Sequence, residues 1–196
     1  MNINRRNFLF GSAAAMTLAG RATEKVGLRP LQPGEKRTVA IIGLGKQGRN
    51  AMLSQFLRQP SVRVVCCCDC DETRAKDGAA RVDAKYKDGT PCAVELDFRK
   101  VLANPAIDAV CIATPDHWHA YMSVEAMKHG KDVYCEKPLT FTIDEARKVI
   151  AAQKKYGRVF QTGSMQRSWK EKSEFRTACM IVRNGFIGSL RYVDAN

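Results

Sequence analysis

The stretch TVAIIGLGKQG, residues 38–48, decides the fold. It is a short apolar run that ends at Gly43 and continues through Gly45 and Gly48 in the spacing G-x-G-x-x-G. Such a run is typical of a strand buried on both faces of a parallel sheet. The first glycine permits a tight turn, the second lets the backbone approach a pyrophosphate, and the third lets a helix pack closely on the strand. The stretch therefore predicts a strand, a dinucleotide-binding turn, and a helix that begins near Lys46 with its N-terminus toward the phosphates.

The end of the next apolar run supports this prediction. Asp69 follows the run Val62–Cys68 and stands 21 residues after Gly48. An acid in this place hydrogen-bonds the adenosine ribose hydroxyls and repels a 2′-phosphate, so NAD is predicted in preference to NADP. Asp71 is the alternative acid, and its place before a helical pattern predicts a helix N-cap instead. The predicted cofactor contacts in these two segments are Gly43, Leu44, Gly45, Gln47, Gly48 and Asp69.

Apolar runs and helical patterns alternate along the rest of the chain. This alternation predicts an α/β fold, a doubly wound parallel sheet with helices on both faces. We expect residues 37–163 to form this domain, residues 23–36 to be a linker, and residues 164–196 to begin a second, truncated α+β domain. Strands are predicted at 38–42, 62–68, 92–95, 107–113, 132–135, 158–162 and 188–195, and helices at 46–58, 72–87, 98–103, 118–129, 143–156 and 173–183.

The N-terminus has the pattern of a targeting segment. Arg5 and Arg6 precede an apolar stretch from Phe8 to Gly20 that contains no acid. This order predicts that residues 1–22 are a twin-arginine signal and that the mature protein is periplasmic. The alternative is a tail that contains two arginines by chance. The apolar stretch is shorter than the roughly 20 residues of a membrane-spanning helix, so no stable membrane span is expected.

Charge and cysteine content exclude two classes of function. The formal net charge is +12, but the basic residues are scattered among acids and match no nucleic-acid-reading motif, so no nucleic-acid partner is expected. The run Cys66, Cys67, Cys68 resembles a metal site at first sight. Successive side chains of a strand point to opposite faces, so these thiols cannot converge on one ion. No metal is predicted.

Two further motifs follow predicted strands. Residues 113–119, ATPDHWH, come after the fourth strand, and residues 136–138, EKP, come after the fifth. Open α/β sheets bind ligands at the carboxyl ends of their strands, so both motifs are candidates for the site. Lys137 in this place could orient or polarise a substrate hydroxyl or carbonyl group. The alternative is a surface charge beside a turn. A cis peptide bond is expected between Lys137 and Pro138.

The motifs together identify a resemblance to a known family. GLGKQG, CDCD, ATPDHWHA, CEKPL and QTGSMQRS resemble the N-terminal domain of the Gfo/Idh/MocA oxidoreductases over residues 37–196. The resemblance implies that Lys137 contacts the substrate and is catalytic, and that Arg167 lines the substrate cleft. It also implies cofactor contacts beside the nicotinamide end by five residues: Thr114, Pro115, Asp116, His119 and Glu136. Gln161 matches a position that lines the cleft and is a further predicted cofactor contact.

The resemblance implies a reaction as well. It implies hydride transfer between NAD(P) and a secondary hydroxyl of a sugar, glycoside or cyclitol, in a full-length protein that forms homo-oligomers. Because the twin-arginine route exports folded proteins, the predicted signal indicates that NAD is bound before export and held tightly. In this family the proton-transferring histidine belongs to a C-terminal domain that the sequence lacks. One alternative is an NAD-dependent glycoside hydrolase of the same superfamily, although such relatives tend to lack the lysine of EKP. Another is a non-catalytic module that binds a nucleotide or sugar.

Overall fold

The computed structural model describes residues 31–164 and 174–194. Its strands form one parallel sheet in the order β3-β2-β1-β4-β5-β6. This arrangement confirms the predicted doubly wound sheet, in which the order reverses between β1 and β4. The strands are β1 Arg37–Ile42, β2 Val62–Cys68, β3 Ala93–Glu95, β4 Ala109–Ile112, β5 Asp132–Cys135 and β6 Phe160–Thr162.

A helical segment connects each strand to the next in the chain. The first helix, α1, has a π-helical part, Gly48–Leu53, that continues as Ser54–Phe56. Because parallel neighbours need a crossover connection, these helices lie against the faces of the sheet. The other helices are α2 Glu72–Tyr86, α3 Phe98–Ala103, α4 Asp116–Lys128, α5 Ile143–Tyr156 and α6 Glu174–Arg183.

The sheet separates two apolar layers. Side chains alternate between them along β1, so that Ala40 and Ile42 pack in one layer while Val39 and Ile41 pack in the other. The first layer contains buried residues of α3, α4 and α5, and the second contains those of α1 and α2. Burial of these apolar surfaces holds the helices on both faces and leaves the strand ends open at the edge of the sheet.

The cysteines of β2 follow the same alternation. Cys66 and Cys68 belong to one layer and Cys67 to the other, which confirms that they do not converge. Burial raises the pKa of both the Cys66 and the Cys68 thiol to about 12. Within residues 31–164 and 174–194, no group of three or more His, Cys, Asp or Glu side chains could hold a metal ion. The β2 thiols therefore pack as small apolar groups.

The structure contradicts the last predicted strand in the residues that it describes there, 188–194. Residues 188–194 are irregular and exposed, although 188–195 has an apolar, extended pattern. A strand requires a hydrogen-bonded neighbour, and none of the described strands pairs with this segment. In the part of the chain that the structure describes, no helix has the length and apolar character needed to cross a membrane.

Candidate functional site

The turn between β1 and α1 contains the three glycines of the first motif. Gly43 has a φ of +90°, and a Cβ atom there would lie 2.6 Å from the carbonyl oxygen of Ala113. A Cβ atom on Gly48 would collide with the carbonyl oxygen of Gly43. A Cβ atom on Gly45 would meet no protein atom within 4 Å. The protein itself therefore requires the outer two glycines, whereas the middle glycine leaves open space in front of the turn.

That open space is part of a cleft at the carboxyl ends of β1, β2 and β4. The cleft has a volume of about 720 Å³ and lies where the strand order reverses. The backbone N–H of Arg49 donates to the carbonyl oxygen of Gly45 at 2.9 Å, so the helix begins directly at this wall. The walls of the cleft include Gly43, Gly45, Lys46, Gln47, Asp69, Arg74, Thr114, Pro115 and Trp118. Free N–H groups at a helix N-terminus, beside a glycine without a side chain, fit a pyrophosphate.

Asp69 connects β2 to the glycine turn. Its side chain is only 8% exposed, and Oδ2 accepts a hydrogen bond from the backbone N–H of Leu44 at 2.6 Å. Oδ1 accepts from the backbone N–H of Asp71 at 2.9 Å. The Sγ atom of Cys70 also lies 3.7 Å from Oδ1. A carboxylate has about four acceptor positions, so it can still accept from a ribose hydroxyl. The internal role of Asp69 in holding the turn was not predicted from the sequence.

The structure confirms the prediction for Asp71. Its Oδ1 accepts from the backbone N–H of Arg74 at 3.2 Å, which makes Asp71 the N-cap of α2. Its Oδ2 lies 3.3 Å from Nε of Arg74. Asp71 therefore caps the helix, and of these two acids it is Asp69 that lines the cleft.

Several residues that line the cleft were not predicted from the sequence. Leu96, Asp97, Phe98 and Arg99 line it, and they follow β3 directly. The ring of Phe98 lies 6.2 Å from that of Trp118, and the Arg99 guanidinium lies 5.1 Å from the Phe98 ring centre. The rule that ligands lie at strand ends could have found this segment, because β3 was predicted as a strand.

The loop after β4 contributes through two surfaces. Thr114 and Pro115 line the cleft, and Asp116 is exposed at the start of α4. His119, in contrast, is only 1% exposed. Its Nδ1 lies 2.6 Å from the carbonyl oxygen of Pro138, and its Nε2 lies 2.9 Å from that of Thr114. The ring is thus between two loops, and its contact with a nicotinamide ribose stays a prediction.

The loop after β5 contains a buried carboxylate. Glu136 is 4% exposed, and its Oε1 has no hydrogen-bond partner among the described residues. A Cβ atom on Gly163 would lie 2.9 Å from this oxygen, so glycine there makes room for the carboxylate. A buried polar atom without a partner is costly, so the β5 end of the site contains an acceptor that no described residue satisfies.

The remaining predicted residues lie near this second loop or outside the described chain. Lys137 is exposed, and its peptide bond to Pro138 is cis, as predicted. Gln161 is exposed at β6, where its Nε2 donates to the carbonyl oxygen of Thr162 at 2.9 Å. Arg167 lies outside the described residues. The structure therefore brings the ends of β1, β2, β4 and β5 to one edge, with Glu136 and Lys137 at the β5 end.

Comparison with known proteins agrees with this arrangement. The model of a family described as an oxidoreductase family with an NAD-binding Rossmann fold matches residues 37–164. Inositol 2-dehydrogenase of Mycolicibacterium smegmatis is 34% identical over 140 residues, which cover 71% of this chain and 39% of the relative. A glycosyl hydrolase family 109 protein of Saccharopolyspora erythraea is 31% identical over 175 residues, covering 78% of this chain and 37% of the relative.

Solved structures give the same fold. Myo-inositol 2-dehydrogenase from Lactobacillus plantarum superposes with a TM-score of 0.62 at 28% identity, over 79% of this chain and 43% of the other. A 3-ketoreductase variant from Actinomadura kijaniata, crystallised with TDP-benzene and NADP, has a TM-score of 0.69 at 22% identity, over 80% and 46% of the two chains. The chain thus spans less than half the length of these relatives. It belongs to the Gfo/Idh/MocA family of oxidoreductases, and its matching segment is the NAD-binding Rossmann fold.

Proposed function

We propose that this chain is the NAD-binding part of an enzyme that transfers a hydride between NAD and a secondary hydroxyl of a sugar, glycoside or cyclitol. The cleft in front of Gly45, with Asp69 buried at its side, is the observation that carries the proposal. The inositol 2-dehydrogenases among the relatives support this class of substrate. When bound, a nicotinamide dinucleotide supplies the hydride acceptor and donor.

The residues of the chain divide the work between two ends of the site. The turn at Gly43 and Gly45 and the N-terminus of α1 bind the pyrophosphate, and Asp69 accepts hydrogen bonds from the adenosine ribose. At the other end, Glu136 accepts a hydrogen bond from the ligand with its unpartnered oxygen. Nζ of Lys137 donates a hydrogen bond to the reacting substrate oxygen and holds it in place.

The first prediction uses the glycine that the protein does not need for its own packing. Gly45→Ala is expected to weaken NADH binding about 10- to 100-fold, because its methyl group enters the space of the pyrophosphate and disrupts charge-assisted hydrogen bonds. Thermal unfolding should not change, since no protein atom lies within 4 Å of the added Cβ. NADH fluorescence titration and a thermal melt measure the two quantities.

The matched control for Gly45→Ala is Asn50→Ala, an exposed position on the same helix. It is expected to leave both NADH affinity and thermal unfolding unchanged. Equal NADH affinity of the wild-type protein and Gly45→Ala would remove the basis of the proposal.

The second prediction concerns the choice between NAD and NADP. The wild-type protein is expected to bind NADH about tenfold or more tightly than NADPH, because the Asp69 carboxylate repels the 2′-phosphate. Asp69→Asn removes this charge but keeps one oxygen that accepts from a backbone N–H. The dissociation constant for NADPH divided by that for NADH should therefore fall. The ratio is the correct measure, since the variant weakens the turn for both ligands alike.

Arg74 and Arg99 line the same cleft and could bind a phosphate. A wild-type protein that binds NADPH more tightly than NADH would therefore overturn the preference for NAD and assign the 2′-phosphate to these arginines.

A second candidate function is NAD-dependent glycoside hydrolysis. Glycosyl hydrolase family 109 relatives favour it, including one of Shewanella baltica that is 27% identical over 216 residues and aligns with 99% of this chain. Lys137 favours the dehydrogenase, because it can hold an alcohol or carbonyl oxygen. The whole protein should be incubated with myo-inositol, free sugars and aryl glycosides. NADH accumulation supports the dehydrogenase, whereas released aglycone without net NADH supports the hydrolase.

We also propose that residues 1–22 direct export by the twin-arginine route, that the mature protein is periplasmic, and that NAD is bound before export and retained. The order of Arg5, Arg6 and the apolar stretch after them supports export, and these residues lie outside the described part of the chain. Homo-oligomer formation by the whole protein stays a prediction.

A further inference from the structure

His119 makes two short contacts that its sequence motif does not explain. The ring is buried, and each nitrogen lies within 3 Å of a backbone carbonyl oxygen, at 2.6 Å from Pro138 and 2.9 Å from Thr114. A ring whose two nitrogens both contact the protein has no nitrogen left for a ligand. These two contacts therefore indicate a role for His119 within the protein, in place of the predicted contact with the cofactor.

The two carbonyl groups belong to different loops. Thr114 follows β4 and lines the cleft, while Pro138 follows β5 and is bonded to Lys137. β4 and β5 are neighbours in the sheet. One side chain from the first turns of α4 therefore connects the two loops on which Thr114, Glu136 and Lys137 lie.

The chemistry of the contacts makes histidine hard to replace. A carbonyl oxygen only accepts hydrogen bonds, so a ring nitrogen that carries a hydrogen donates to the carbonyl oxygen beside it, while the ring also packs against the other carbonyl group. A glutamine amide donates from one nitrogen and cannot reach two carbonyl groups on opposite sides. A phenylalanine ring fills a similar volume and donates nothing. These differences allow the connection to be tested separately from the packing of the ring.

We propose that His119 is a positioning residue, which ties the Thr114 loop to the Lys137–Pro138 turn and so preassembles the nicotinamide end of the site. This inference rests on the proposed function. It assigns His119 to the protein frame behind the site, while Glu136 and Lys137 face the ligands. Preassembly lowers the cost of ordering these loops when the ligand binds.

The experiment compares two ligands that differ at the nicotinamide end. ADP contacts the glycine turn and the Asp69 region, whereas NADH also reaches the loops after β4 and β5. His119→Phe and His119→Gln are expected to weaken NADH about tenfold or more while ADP affinity stays within about twofold, as measured by calorimetry on the whole chain. A purely structural role would not separate the two ligands.

The chain offers matched controls, because it has three histidines. His117 is exposed at the start of α4, and His129 is exposed, with Nδ1 2.8 Å from the Glu125 carbonyl oxygen. His117→Phe and His129→Phe should change neither affinity. Equal losses for ADP and NADH in the His119 variants, or no loss for either, would overturn the inference while the proposed function stands.

A measurement on the wild-type protein covers the case in which both variants fail to fold. Proton–nitrogen-15 spectra of the three histidine rings should show a ring N–H of His119 that exchanges with solvent more slowly than those of the exposed His117 and His129. A ring N–H of His119 that exchanges as fast as that of His117 would overturn the connection. A wild-type protein that binds neither ADP nor NADH overturns the proposed function, and the inference with it.

Discussion

Gly48→Ala is expected to lower the free energy of unfolding by about 3 kcal/mol or more, because the added methyl group has no space. It would overlap the Gly43 carbonyl oxygen and lie 2.9 Å from the Gly43 carbonyl carbon. Both are backbone atoms and cannot rotate away. Gly43 is itself fixed, since its N–H donates to the carbonyl oxygen of Cys68 at 2.8 Å. Urea unfolding followed by circular dichroism measures the change.

Gly45→Ala is the control for this experiment, since it makes the same substitution three residues earlier in open space. The two variants should separate stability from ligand binding. An unchanged urea midpoint for Gly48→Ala would contradict the close packing of Gly48 against the Gly43 backbone.

Lys137→Ala is expected to lower the turnover number about 10²- to 10⁴-fold, the range for a side chain that handles a proton or polarises the reacting oxygen. NADH affinity and thermal unfolding should stay unchanged, because Lys137 is exposed and lies beyond the cleft of the glycine turn. Stopped-flow absorbance of NADH in the whole protein, with the substrate found in the oxidation screen, measures the loss.

Two further variants accompany Lys137→Ala. Lys137→Arg keeps the charge but not the compact ammonium group, and it should remain well below wild-type turnover. Lys85→Ala removes an exposed lysine on α2 and should have no effect. Full activity of Lys137→Ala would favour a non-catalytic module that binds a nucleotide or sugar.

β1, β2 and β4 could be predicted from the sequence because each is a largely buried, largely apolar run with a clear end. β1 ends before Gly43 and β2 before Asp69, as expected. The π-helical geometry of Gly48–Leu53 could not be predicted, because the spacing of apolar residues does not resolve a locally wider turn. The strand predicted at 188–195 was wrong for a related reason. The pattern of apolar residues in one segment does not show whether another strand is available to pair with it.

The candidate site was predictable to the level of loops. The sequence located the segments of Gly45, Asp69 and Lys137, because ligand sites in open α/β sheets follow strand ends. It did not give the direction of each side chain. His119 was placed with the cofactor contacts, yet the structure buries it between two carbonyl groups. The motif places this histidine one turn into α4, and only the fold brings Pro138 to it.

The lone oxygen of Glu136 also affects the thermodynamics of the empty protein. An acceptor sealed from water and without a donor raises the free energy of the unliganded state, and a donor brought in by a ligand removes that penalty. Under the proposed function, part of the affinity for the complete dinucleotide would then come from giving this oxygen a donor.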